Sequence, residues 1–183
     1  MPRYIAFFSS INVGSNRLSM ADLRYAFERE EFENVETVVA SGNVLFDYEE
    51  RPSEGLEDLL AHVMLDRFDI DSISAVRSRD EVAGAIDGNP FAATGDPAQV
   101  HTLFLSGAVN QAAFDRLQAD HATRGPERIA AGPRSLYIDF VNGVGRSRLT
   151  NAFIERRLSL RGTARNISSL RRILAKMDGD TGH

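Results

Sequence analysis

Val35-Glu36-Thr37-Val38-Val39-Ala40-Ser41-Gly42-Asn43-Val44-Leu45-Phe46-Asp47-Tyr48 is the stretch on which the fold turns. Two runs rich in β-branched and aromatic residues, 35–40 and 43–48, flank Ser41-Gly42, and this pattern predicts two strands meeting in a hairpin turn there. Upstream, Ser19 with Asp22 three residues on resembles a capping box, and Met20, Leu23 and Phe27 stripe the predicted helix behind it. Before that helix, 11–18 reads as a loop rich in Asn, Gly and Ser, and 3–10 as a first strand. Downstream, Pro52-Ser53 opens a second helix whose Leu56, Leu59, Leu60, Val63 and Met64 recur at helical spacing. A fourth strand is predicted at 73–77. Ser78 and Glu81 then cap a short helix that stops near Gly88-Asn89-Pro90.

The order β-α-β-β-α-β plus one helix recurs after residue 98. Strands are predicted at 100–106, at 128–131 and 135–141 around Gly132-Pro133, and at 162–165. Helices are predicted at 111–121, 149–158 and 167–177. The halves share element order without obvious residue identity. The expected fold is α+β: two tandem ferredoxin-like halves, mainly antiparallel, with helices packed on the sheets. The expected boundaries are 1–87 and 99–177, with a linker at 88–98 and a frayed tail at 178–183.

A chain of 183 residues buries roughly 70% of its extended surface on folding, enough to dispense with metals and disulfides as supports. It has no cysteine, which removes thiolate nucleophiles, iron–sulfur clusters and cysteine-type zinc sites. The apolar run Ile5-Ala6-Phe7-Phe8 is too short for a signal peptide or a membrane span, so the expectation is a cytoplasmic protein with no membrane partner. No nucleotide loop, hydrolase elbow, zinc-protease or EF-hand motif occurs, and no cofactor or metal is called for. His62, His101, His121 and His183 lack ligand spacing; His101, in a predicted strand, is the one placed for acid–base work.

The net charge of −5 opposes general nucleic-acid binding but is unevenly spread. Residues 142–177 hold nine bases against Glu155 alone, a local charge of +8. Arg156-Arg157 and Arg171-Arg172 there read as a solvated face, or as partners of the acidic half. Within this stretch Gly143, Gly145, Arg146, Ser147, Arg148, Thr150 and Asn151 lie between a strand and a helix. Glycines allow close backbone approach, the first helical N–H groups lack partners, and arginines and hydroxyls suit phosphate or carboxylate. Arg165 and Asn166 are expected nearby, and Asn12, Gly14, Asn16 and Arg17 form a similar, weaker loop.

Several of these motifs resemble the bacterial family known as domain of unknown function 1697. They are Ile11-Asn12-Val13-Gly14, 20–24 (MADLR), 41–46 (SGNVLF), Asn89-Pro90-Phe91, 143–151 (GVGRSRLTN) and Thr163-Ala164-Arg165-Asn166. The resemblance implies a two-part α+β fold of ferredoxin-like topology and no particular activity. Family members commonly read Arg-Gly where this chain has Ser9-Ser10. The expected function is binding of a phosphorylated small molecule or a nucleic-acid backbone. The alternatives are an enzyme of unknown reaction using His101 or a Ser/Thr with Asn donors, and a structural or oligomer-forming module with a basic C-terminal face.

Overall fold

The computed structural model describes residues 1–9, 18–72 and 74–179, apart from the side chain of Ser41. The chain divides into two compact units, Met1–Val82 with Arg172–His183, and Ala83–Arg171. The first holds strands β1 (Arg3–Phe8), β2 (Glu33–Val38), β3 (Ala40–Asp47) and β4 (Ser74–Ser78), with helices α1 (Met20–Arg29) and α2 (Ser53–Phe68). The second holds β5 (Val100–Leu105), β6 (Arg128–Gly132), β7 (Ser135–Asp139) and β8 (Gly162–Asn166), with α4 (Gln111–His121) and α5 (Asn151–Leu158). The division falls inside the two remaining helices, α3 (Arg79–Asp87) and α6 (Ile167–Met177).

Each unit carries a four-stranded antiparallel sheet, and the orders, β2-β3-β1-β4 and β6-β7-β5-β8, follow one scheme. A strand flanked on both sides and buried on both faces reads as a continuous apolar run, which is why β1 is Tyr4-Ile5-Ala6-Phe7-Phe8 rather than an alternating pattern. In the first unit Phe27 and Leu23 of α1 and Leu56, Leu60 and Met64 of α2 close over Ala6, Phe8, Phe46 and Val76. Phe32 meets Phe46 edge-on at 4.8 Å between ring centres. In the second unit Phe114, Leu117, Ile154 and Leu158 cover Leu103, Leu136, Ile138 and Phe140.

Helix entries follow the expected caps. Ser19 Oγ accepts the Asp22 N–H, and Ser78 and Glu81 cap α3 reciprocally. The hairpin turn, however, is not at Ser41-Gly42. Val38 already pairs with Ala40, so the chain reverses at Val39 with φ 67°, and Ser41 and Gly42 lie inside β3. β2 and β3 stay paired as far as Val38 and Ala40, across a register shift between Thr37 and Val38, and this pairing carries β3 through Ser41 and Gly42. Similarly, the turn between β6 and β7 takes its positive φ at Arg134 rather than at Gly132. Segment 88–98 folds onto its own unit: Asn89 Oδ1 accepts the Phe91 N–H, and Arg128 lies over the Phe91 ring at 4.9 Å. Asp178, expected in a frayed tail, instead receives two hydrogen bonds from Arg79 (2.7 and 3.0 Å).

Leu60 is fully buried beneath the first sheet, so Leu60→Ala should cost about 2–5 kcal/mol in denaturant unfolding. Arg171 is exposed, and Arg171→Ala should stay within roughly 0.5 kcal/mol of wild type. The reverse order of the two effects contradicts this assignment of core and surface.

Candidate functional site

Sheet register in the second unit gathers several elements at one end. The end of β7 (Asp139) pairs with the starts of β5 (Val100) and β6 (Arg128), and the end of β8 (Asn166) pairs with His101. From this end the chain runs through 140–150 into α5. The first unit makes the corresponding connection, 48–52 between β3 and α2, in five residues; here it takes eleven.

The longer connection is tightly specified. Asp139 Oδ1 accepts the Val141 N–H at 3.0 Å, and Asn142 N–H closes on Phe140 O at 2.5 Å. This forms a γ-turn around Val141, whose φ is 58°. A β-branched residue in that region is strained. Gly143 follows at φ 101° and ψ 148°, a conformation open essentially to glycine alone. Val144–Arg146 make one 3-10 turn. Ser147 Oγ accepts the Leu149 N–H, and Thr150 Oγ1 caps α5 by accepting the Phe153 N–H at 3.2 Å. The helix therefore starts at Asn151, two residues later than 149, because Leu149 turns inward to the core and Thr150 takes the cap.

The expected site residues thus separate by role. Gly143 has a conformational need; Gly145 has a negative φ and open space around its Cα. The Ser147 and Thr150 hydroxyls are committed to the loop and the helix. Asn166 caps α6 through the Ser169 N–H at 2.8 Å. Arg165 pairs with Thr102, one residue beyond the His101–Asn166 pair, so strand alternation puts it on the other face of the sheet. Its guanidinium donates to Thr163 Oγ1 and Ala164 O, and burial pushes its pKa down to about 10. Asn151 is exposed. Arg146 and Arg148 are exposed and form no ion pair with any described residue. Asn12, Gly14, Asn16 and Arg17 lie outside the described residues.

Glu127 and Arg124, which residue type and spacing do not single out, and His121, set aside above for lack of ligand spacing, complete the site. Glu127, buried against the loop, accepts a hydrogen bond from Ser147 Oγ at 2.7 Å. His121 donates from Nε2 to Glu127 O at 2.9 Å. Arg124 donates to Arg148 O and lies 4.1 Å from the Phe153 ring centre, with Arg157, anchored on Asp120, also over that ring. Their only sequence signal is the His-x-x-Arg-Gly-x-Glu spacing after α4, which names no chemistry. His101 donates from Nδ1 to Gln99 O at 3.0 Å and meets Phe140 edge-on at 4.9 Å. Among the described residues it bonds no carboxylate or hydroxyl, the partners a general base would need.

Burial lowers the His101 pKa from 6.5, outweighing the Gln99 hydrogen bond that raises it. A depressed histidine destabilises the fold as pH falls below its unfolded pKa, because the unfolded chain then takes up the proton first. Stability should fall as pH drops below about 6.5, and less steeply in His101→Gln, measured by urea unfolding between about pH 5 and 7.5. Identical slopes in both proteins contradict the assignment. Gly143→Ala should destabilise by about 1–2 kcal/mol, while Gly145→Ala should be neutral or stabilising by up to about 1 kcal/mol. The same unfolding series reads this pair.

No curated protein matches the chain. Its fold is similar to the solved structure of the conserved bacterial protein SP0830 from Streptococcus pneumoniae, with a TM-score of 0.66 and 20% identity over 97% of this chain and 99% of that one. The model of the family described as "Protein of unknown function (DUF1697)" matches residues 1–137, ending before the Gly143–Asn151 segment. With three-quarters of its length so matched, the chain belongs to the DUF1697 family.

Proposed function

We propose that the second unit binds a phosphate-bearing anion on the outer side of the 141–148 loop, through Arg146 and Arg148 with Arg124 beside them. The observation that carries this reading is that Arg146 and Arg148 are exposed and unpaired among the described residues, whereas neighbouring Arg128 and Arg157 are held by Asp139 and Asp120. A guanidinium without a carboxylate partner can make bidentate bonds to a phosphate. The geometry narrows the reading based on residue type alone. The loop's inner side is lined by the Glu127 and Asp139 carboxylates, which repel an anion there. The Ser147 and Thr150 hydroxyls are already engaged, so the arginines and the loop's free N–H groups are the donors. On this reading the ligand is a phosphorylated small molecule or a nucleic-acid backbone, which share the recognised group, and the protein works in the cytoplasm. The common strand order supports a further proposal, that the units are tandem ferredoxin-like copies and that the longer second connection carries the site.

A thermal-shift screen of nucleotides, sugar phosphates and inorganic pyrophosphate tests the reading. Stabilisation of wild type that disappears in Arg146→Ala/Arg148→Ala is the expected outcome. No shift with any compound, or equal shifts in both proteins, rejects it. A labelled single-stranded oligonucleotide separates the two ligand sources. Its affinity should fall with salt by a log–log slope of about −0.7 per phosphate contacted if the backbone is the ligand.

A further inference from the structure

We infer that Glu127 is a positioning residue that latches the arginine loop through Ser147; its role in ligand binding rests on the anion reading above, while the latch itself does not. The loop holds two positive-φ residues, Val141 and Gly143, within three positions, and Val141 and Val144 stand 45% and 52% exposed. A strained segment with so little of its own packing keeps its shape only when its surroundings impose it. Buried carboxylates tie both ends. Asp139 accepts the Val141 N–H at the entrance, and Glu127 accepts the Ser147 hydroxyl at the exit. Glu127 is 9% exposed and His121 4%, yet among the described residues Glu127 Oε2 and His121 Nδ1 have no hydrogen-bond partner, Oε2 lying 3.8 Å from His121 Nε2. A buried carboxylate so incompletely satisfied is costly, and its retention calls for a reason. Gly125 is part of the arrangement, since a Cβ there would overlap the Glu127 carboxylate. The Glu127 carboxylate also places a negative charge at Ser147, the residue between Arg146 and Arg148, which opposes an anion approaching from that side.

The test is limited trypsin digestion of the full chain, following cleavage after Arg146 and Arg148 by mass spectrometry without any ligand. Glu127→Ala removes one hydrogen bond of ordinary strength and should raise the open population, and so cleavage there, about three- to tenfold, and Ser147→Ala, which also removes the acceptor of the Leu149 N–H, should raise it at least as much. Ser147→Thr and Glu127→Gln keep a hydroxyl and an acceptor, and both should stay within about twofold of wild type. Glu127→Ala keeps the Leu149 N–H bond to Ser147, so cleavage raised in it assigns the latch to Glu127 and cleavage equal to wild type overturns it; if circular dichroism shows it unfolded, Glu127→Met, of similar bulk without a carboxylate acceptor, takes its place. Equal cleavage in Ser147→Ala and wild type overturns the latch, as does a Ser147→Thr that opens as readily as Ser147→Ala. Binding of inorganic pyrophosphate is measured separately, and Glu127→Gln should tighten it severalfold by removing the inner charge. The expected cleavage pattern with no pyrophosphate binding by wild type supports the latch and rejects the anion reading.

Discussion

Antiparallel pairing of one central strand on both edges is the constraint from which each unit follows. Once β5 takes β7 on one side and β8 on the other, β6 can pair only outside β7, and α4 and α5 must cross the same face to make the connections. That face is where Leu103, Leu136 and Ile138 are buried. The first unit obeys the same rule around β1. β1 is apolar from Tyr4 to Phe8, β5 is apolar at Val100 and from Leu103 to Leu105 with His101 and Thr102 between, and each sheet places the end of its third strand, the end of its fourth and the start of its first together.

The correspondence between units extends to individual side chains. Tyr4 and His101 hold the same register position, each opposite the last residue of the fourth strand, Ser78 or Asn166, which then caps the helix that follows. Arg77 and Arg165 occupy equivalent rows, and each bends back to donate to the preceding residue's carbonyl at 2.8 Å. They differ in charge balance. Arg77, 2% exposed, is paired with Glu57 of α2, whereas Glu155, at the same place in α5, accepts the Gly162 N–H. Asp47 and Asp139 end the third strands, and both receive an arginine. Against this common frame, the 140–150 connection is the departure. It adds length, backbone strain and unpaired cations where the first unit has a short acidic link.

Strand and helix existence were legible from the chain alone because they depend on periodicity and local caps. The stripe Leu56, Leu60, Val63 and Met64, the Ser19 and Ser78 caps and the doubled element order needed no tertiary information. Turn positions were not legible. Ser41-Gly42 has turn composition, but the shifted register that pairs Val38 with Ala40 takes it into β3 and leaves Val39 to reverse the chain.

That a glycine- and arginine-bearing segment precedes a helix follows from residue type and order along the chain. Which of its groups remain available depends on how the segment folds and packs. Hydroxyls and amides are short and bond to the nearest backbone donors, so Ser147, Thr150 and Asn166 are taken up by local geometry. A carboxylate at position 127 and a histidine at 121 join the loop because α4 ends and β6 begins at the same end of the sheet, a proximity that no spacing along the chain expresses.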